Sequence, residues 1–290
     1  MNKELILVDI NITEETAGIL FALNRLNHVE VKGISLCFGE TSLESSYRSI
    51  SGLNELLGWE VPVALGADRP WRRDYQLPVS ASDISEPING LQAKVLCAGA
   101  LTNMAILLER YPEAGKLIKE LIWCGGTQRH ASLQIVKDVQ TYLDPEAAQY
   151  VLEQGLNFTM CPVDAGTFCY MSLSEVDSRR YETEPVMHQF NRLLKKRWCD
   201  VNAEAPMGER KRHLPMQEMA AVAAAVLPWL CEKKKRYGEV DLKGKLTFGM
   251  LVIDINNRLE HTEEEMNISQ VCHIDRERLI HLLYMDSGQE

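Results

Sequence analysis

Short runs of apolar residues recur along this chain of 290 residues with helix-length segments between them, and that alternation leaves few folds open. The runs at 5–8, 31–36, 61–65, 94–98, 121–124 and 158–163 read as strands, each bounded by Gly, Pro or Asp. The segments at 17–26, 43–57, 103–109, 145–152 and 173–177 space their apolar residues near the helical period of about 3.6. Strand–helix alternation of this kind predicts a parallel, doubly wound sheet. The strands are apolar throughout rather than on alternate residues, as expected when helices cover both faces. Past residue 180 the pattern predicts helices at 185–197 and 216–232. A terminal β unit follows, 245–254 with 270–274, and then a helix at 275–285. No low-complexity linker or true repeat interrupts it, so the expectation is one α/β domain, 1–290, a mostly parallel sheet flanked by helices.

The formal net charge of −10 argues against a nucleic-acid partner, because phosphate binding needs a basic face. The basic run Lys233-Lys234-Lys235-Arg236 follows an Ala-rich stretch and reads as the solvated end of a helix. Eight cysteines, at 37, 97, 124, 161, 169, 199, 231 and 272, form no CxxC pair and read as buried reduced thiols. The first residues, Met1-Asn2-Lys3-Glu4, lack a signal-like apolar core, and no apolar run is long enough to span a bilayer. The expectation is a cytoplasmic protein with no membrane partner.

The first strand runs into Val8-Asp9-Ile10-Asn11-Ile12-Thr13-Glu14-Glu15-Thr16-Ala17-Gly18. Taken locally, Asn11 could cap a helix, with Glu14 reaching back and both acids favoured by the positive end of the dipole. Taken globally, the same knot of polar groups lies at the carboxyl end of a parallel strand, where open α/β sheets keep their chemistry. His130, in the loop after Gly125-Gly126, reads as a solvated histidine that could alternatively approach a pocket. Trp71, Arg72 and Arg73 suit a pocket rim or a subunit interface.

Further segments sharpen the global reading. Gly99-Ala100-Leu101-Thr102-Asn103-Met104-Ala105 passes from strand to helix, and Trp123-Cys124-Gly125-Gly126 ends a strand. Asp144-Pro145-Glu146-Ala147-Ala148 opens a helix, and Thr247-Phe248-Gly249-Met250-Leu251-Val252-Ile253-Asp254 lies near the C-terminus. In this order these stretches resemble the inosine–uridine preferring nucleoside hydrolase family from end to end. In that family the first strand ends in Asp-x-Asp-Pro-Gly-x-Asp-Asp, whose acids hold Ca²⁺, bind the ribose hydroxyls and activate water. Aligned without a gap, the resemblance implies metal positions at Asp9, Asn11, Thr16, Thr102 and Glu218, and catalytic positions at Asn11, Glu15 and Gln217. It implies substrate-binding positions at Glu15, Glu40, Cys124, Ser132, Asp138 and Gln140. A one-residue slip would put Glu14-Glu15 at the acidic pair instead.

The same resemblance implies hydrolysis of the N-glycosidic bond of a nucleoside or related N-riboside by a homodimer or homotetramer. Several of its positions carry other chemistry here. Asn11 cannot accept a proton, and a lost general base costs about 10²–10⁴ in rate. Gln217 cannot act as an acid. Calcium takes six to eight oxygens, several of them anionic, so the expected Ca²⁺ site is weakened or lost. The alternative is a nucleoside-, sugar- or partner-binding protein on the same scaffold that no longer turns over.

Overall fold

The computed structural model describes residues 3–71, 92–127, 138–178, 184–203 and 212–284. In chain order the elements are β1 (Glu4–Ile10), α1 (Ala17–Arg25), β2 (Val29–Leu36), α2 (Leu43–Leu57), β3 (Val63–Leu65), β4 (Ala93–Ala98), α3 (Thr102–Arg110), β5 (Ile118–Cys124), α4 (Val139–Leu143) and α5 (Pro145–Leu152). They continue with β6 (Phe158–Cys161), β7 (Tyr170–Ser172), α6 (Leu173–Ser178), α7 (Pro185–Asn202), β8 (His213–Pro215), α8 (Gln217–Val226), β9 (Cys231–Val240), β10 (Leu251–Asp254), β11 (Ile268–Ile274) and α9 (Arg276–Tyr284).

Among the described residues one nine-stranded sheet runs β10-β9-β11-β6-β5-β4-β1-β2-β3. From β3 to β11 the pairings are parallel, as the sequence predicts. Register sets Ile10 beside both Leu36 and Ala98, and Cys124 beside Cys161, so the carboxyl ends of the central strands form one edge. Apolar layers fill both faces. On one, α1, α7 and α8 bury Ile19, Leu20, Phe190 and Val222. On the other, α3 and α5 close over Trp123, Leu121 and Phe158. α8 is apolar nearly all round and rich in alanine, so it lies close on the sheet, buried from Glu218 to Val226.

Local signals explain several boundaries. Ser42 accepts from Ser45 N at the start of α2, and Gly58 ends it at φ +65°, a left-handed turn that favours glycine. Asp144 caps α5 and Pro145 occupies its first turn.

Four expectations need correction. The segment expected to be helical through 232 leaves α8 at Val226, turns at Pro228–Leu230 and becomes β9. Proline cannot continue the helix. The basic run therefore lies in a strand antiparallel to β11, with Lys233 opposite Val271. Lys233 Nζ donates to Glu120 Oε1 at 2.7 Å, and Lys94 Nζ donates to Ala225 O at 2.5 Å, at the negative end of α8. With β9 and β10 antiparallel, the sheet is mixed at one end. Residues 245–250 form a turn rather than strand, and a short β7–β8 pair stands apart from the main sheet. All eight cysteines are free, but Cys199 is exposed and Cys231 and Cys272 are half-buried, so only five are buried thiols.

Candidate active site

An open cleft of about 240 Å³ sits at the carboxyl edge of the sheet. The β1–α1 connection supplies Glu15 and Thr16, and the β2–α2 connection supplies Glu40. The ends of β4 and β5 supply Ala98 and Cys124, the start of α4 supplies Asp138 and Gln140, and the start of α8 supplies Gln217 and Glu218. Eight of the residues expected at a site from the sequence thus meet around one opening. Asp138 caps α4, its Oδ2 accepting from Thr141 N at 2.9 Å and Thr141 Oγ1 at 2.8 Å. Gln140 Oε1 is buried without a hydrogen-bond partner. Gln217 Nε2 donates to Cys161 O at 2.8 Å. Burial pushes the Cys124 thiol well up, so it is an apolar wall rather than a nucleophile.

Asn11 lies beneath this cleft and does not cap α1. Its Nδ2 donates to Cys37 O and Thr41 O, both at 3.0 Å, and its Oδ1 accepts from Thr41 N and Oγ1 at 3.3 Å. Gly39 is needed for this embrace, because a Cβ there would sit 2.6 Å from the Asn11 amide. The α1 entry is instead held by Thr13 and Thr16. Thr13 N donates to Thr16 Oγ1 at 2.9 Å and Thr16 N donates to Thr13 Oγ1 at 3.2 Å. The Thr16 hydroxyl donates to Asn11 O at 2.7 Å. Asp9 is buried below, accepting from Ser35 Oγ at 2.5 Å and Asn103 Nδ2 at 2.7 Å, with Oδ2 unpartnered. Burial raises its carboxyl to about 6, against the pull of those two hydrogen bonds. The Thr102 side chain turns to Asp144 and does not line the cleft.

The cleft floor holds a residue that the sequence reading did not single out. Arg197, on α7, pairs through Nη1 with Glu218 and through Nη2 with Glu15 at 3.3 Å. Nη2 also donates to Pro215 O at 3.3 Å, and the side chain is only 5% exposed. Burial pulls the guanidinium pKa down, but Glu218 and Glu15 outweigh it, so the group stays charged. Glu218 is buried too, which pushes its carboxyl up, and Arg197 opposes that rise. The adjacent Lys196 pairs with Glu14. Consecutive basic residues on α7 thus hold consecutive acids after β1, Glu15 facing the cleft and Glu14 facing away. A signal for Arg197 existed in the sequence. Met187, Phe190, Asn191 and Leu194 form the buried stripe of α7, and Arg197 is its next member at helical spacing.

These residues do not fit a calcium ion. The Asn11 oxygen is committed to Thr41, the Thr16 hydroxyl to Asn11 O, and the Glu218 carboxylate to a guanidinium. Calcium needs six to eight oxygens free to turn toward it. Among the described residues no three His, Cys, Asp or Glu side chains converge as a metal cage. Trp71 is also corrected: it is buried against Tyr150, with ring centroids 4.9 Å apart, and its Nε1 donates to Glu109 at 3.2 Å. Arg72, Arg73, His130 and Ser132 lie outside the described residues.

A mostly parallel sheet with its polar cleft at the strands' carboxyl edge makes this an α/β protein, and its fold is shared with solved nucleoside hydrolases. A plant nucleoside hydrolase superposes with a TM-score of 0.80 at 17% identity, covering 97% of both chains. The family model for inosine-uridine preferring nucleoside hydrolases matches residues 6–281, and the chain belongs to that family. It is 25% identical over 284 residues to the pyrimidine-specific ribonucleoside hydrolase RihA of Escherichia coli, covering 88% of this chain and 89% of that protein. It is 24% identical over 269 residues to the non-specific ribonucleoside hydrolase RihC of Salmonella paratyphi A, covering 84% of each. No helix among the described residues is long and apolar enough to cross a membrane.

Proposed function

We propose that this chain binds a nucleoside or related N-riboside in the acidic cleft and hydrolyses its N-glycosidic bond without an aspartate at position 11. The carrying observation is the meeting of Glu15, Glu40, Asp138 and Glu218 around one opening. Water attacks the anomeric carbon, the C–N bond breaks with its electron pair going to the base, and Asp138 or Glu15 takes the proton from water. The surrounding negative charge stabilises the oxocarbenium-like centre. The unpartnered Gln140 Oε1 offers an acceptor to a ribose hydroxyl. Gln217 cannot protonate a leaving base, which favours bases that leave without a proton.

A second reading, a nucleoside binder without turnover, is supported by Asn11 and Gln217. Both amides are tied to the backbone, and neither moves a proton. Release of base and ribose from a nucleoside panel that includes an N-ribosyl pyridinium separates the two. Cleavage by wild type, lost in Asp138→Asn or Glu15→Gln, supports hydrolysis. A silent panel in which a nucleoside still raises the melting temperature supports the binder. The homodimer or homotetramer implied by the family resemblance belongs to the same proposal, and light scattering in solution tests it.

A further inference from the structure

We propose that the guanidinium of Arg197 takes the place of a divalent cation at the cleft floor, so that this chain's site is built around an internal Arg197–Glu218–Glu15 triad and binds no calcium. The proposal rests on the family's calcium positions implied by the sequence, but not on turnover. Arg197 contacts Glu218, the carboxylate at one of those positions, and Glu15, the acid facing the cleft. A calcium ion within 2.3–2.6 Å of the same Glu218 carboxylate would be forced against a guanidinium already hydrogen-bonded to it. The arginine has little room to withdraw. Its side chain is 5% exposed, Pro215 O holds Nη2, and Met216 Sδ lies 3.9 Å from Nη1.

Of the other implied positions, Thr102 turns its hydroxyl to Asp144 and Asp9 keeps only Oδ2 free, its Oδ1 held by Ser35 and Asn103, while Asn11 and Thr16 are closed in the same direction as Glu218. Asn11 spends both ends of its amide on the chain between Cys37 and Thr41. Thr16 spends its hydroxyl on Asn11 O. A fixed monovalent cation differs chemically from a bound metal. It is always present, it offers donors rather than open coordination positions, and chelators cannot remove it. Its hydrogen atoms point at carboxylate oxygens, so it orients Glu15 at the mouth of the cleft.

The test is calcium titration of EDTA-treated wild-type protein by calorimetry, with melting temperature measured in EDTA and in millimolar Ca²⁺. The proposal expects no saturable heat and the same melting temperature in both. Stoichiometric calcium binding, or a melting temperature that falls in EDTA, overturns it. The reciprocal arm uses Arg197→Gln combined with Asn11→Asp, which removes the guanidinium and restores a carboxylate. This variant should gain saturable calcium heat and melt higher in Ca²⁺ than in EDTA. If the folded variant gains neither, the guanidinium is not standing in the cation's place. Arg197→Lys, which keeps the charge, should stay blind to calcium, and calcium binding by it would count against the proposal. These readouts need no nucleoside, so a silent nucleoside panel strikes the hydrolase reading alone.

Discussion

Replacing Arg197 with Met keeps an unbranched, apolar stem but leaves Glu218 buried without its counter-charge. Glu218 is 3% exposed, so water cannot take over from the guanidinium. Removing one partner of a buried pair typically costs about 3–5 kcal/mol. At roughly 2.1 cal/mol/K of unfolding entropy per residue, a chain of this length loses about 7 °C of melting temperature for 4 kcal/mol. Glu218→Gln is milder, about 1–2 kcal/mol, because the amide oxygen still accepts and Arg197 keeps Glu15 and Pro215 O. The double variant removes both charges, so it should be more stable than the sum of the singles predicts by about 2 kcal/mol or more. The single Arg197→Met variant also carries a pH signature. Burial already raises the Glu218 carboxyl, and without Arg197 it rises further. A raised folded-state pKa gives stability that is present at low pH and lost as pH rises through it. The gap between wild type and Arg197→Met should therefore widen from acid toward neutral pH. Urea unfolding of the four proteins across that range is the assay. An Arg197→Met variant within about 1 kcal/mol of wild type at neutral pH would refute the claim that the pair is buried and intact.

Asn11→Asp should destabilise the metal-free protein by about 2–4 kcal/mol, because a carboxylate cannot donate to Cys37 O and Thr41 O; a neutral effect in thermal melts would show that the amide is not locked. Gly39→Ala should cost about 1–3 kcal/mol, since its Cβ would sit 2.6 Å from the Asn11 amide, and denaturant midpoints read this directly. Asp9, with its carboxyl raised from 3.8 to about 6, contributes stability that is complete below about pH 4 and lost as pH rises through 6. Asp9→Asn should remove about 3 kcal/mol of that pH dependence, and an unchanged slope between acid and neutral pH would count against it.

What the sequence disclosed depended on whether the determinant was local. α2 and α5 fall where the pattern puts them, 43–57 and 145–152, because Ser42, Gly58, Asp144 and Pro145 mark their ends. β9 was illegible because its lysines are strand residues only by virtue of Glu120 on β5 and Val271 on β11, both distant in sequence. In the site, Glu15, Glu40, Asp138 and Gln217 were named through the family resemblance, position by position, and they line one cleft. The partners of Asn11 were not readable, since its cap-like spacing was overridden by carbonyls from 37 and 41. Arg197 sits mid-helix in no motif, and its only trace is a charge on an apolar stripe.

Charge balance links these substitutions. With Asn11 and Thr16 neutral and Asp9 buried apart on Ser35 and Asn103, the two carboxylates paired with Arg197, Glu15 and Glu218, keep a net −1 against one guanidinium. Against calcium they would be neutral. A residual negative charge is what an oxocarbenium-like centre requires nearby, and Glu15 is the member that can present it. Its side chain is 66% exposed at the cleft, while Glu218 is sealed under Arg197. Glu15→Gln should therefore separate function from fold. An exposed ion pair contributes at most about 1 kcal/mol, so thermal unfolding should barely move. Cleavage of whichever N-riboside the wild type hydrolyses should fall by about 10²-fold or more, with the loss in kcat rather than KM. A variant as active as wild type would move the working carboxylate to Asp138. A loss confined to KM would reduce Glu15 to a contact for the ribose.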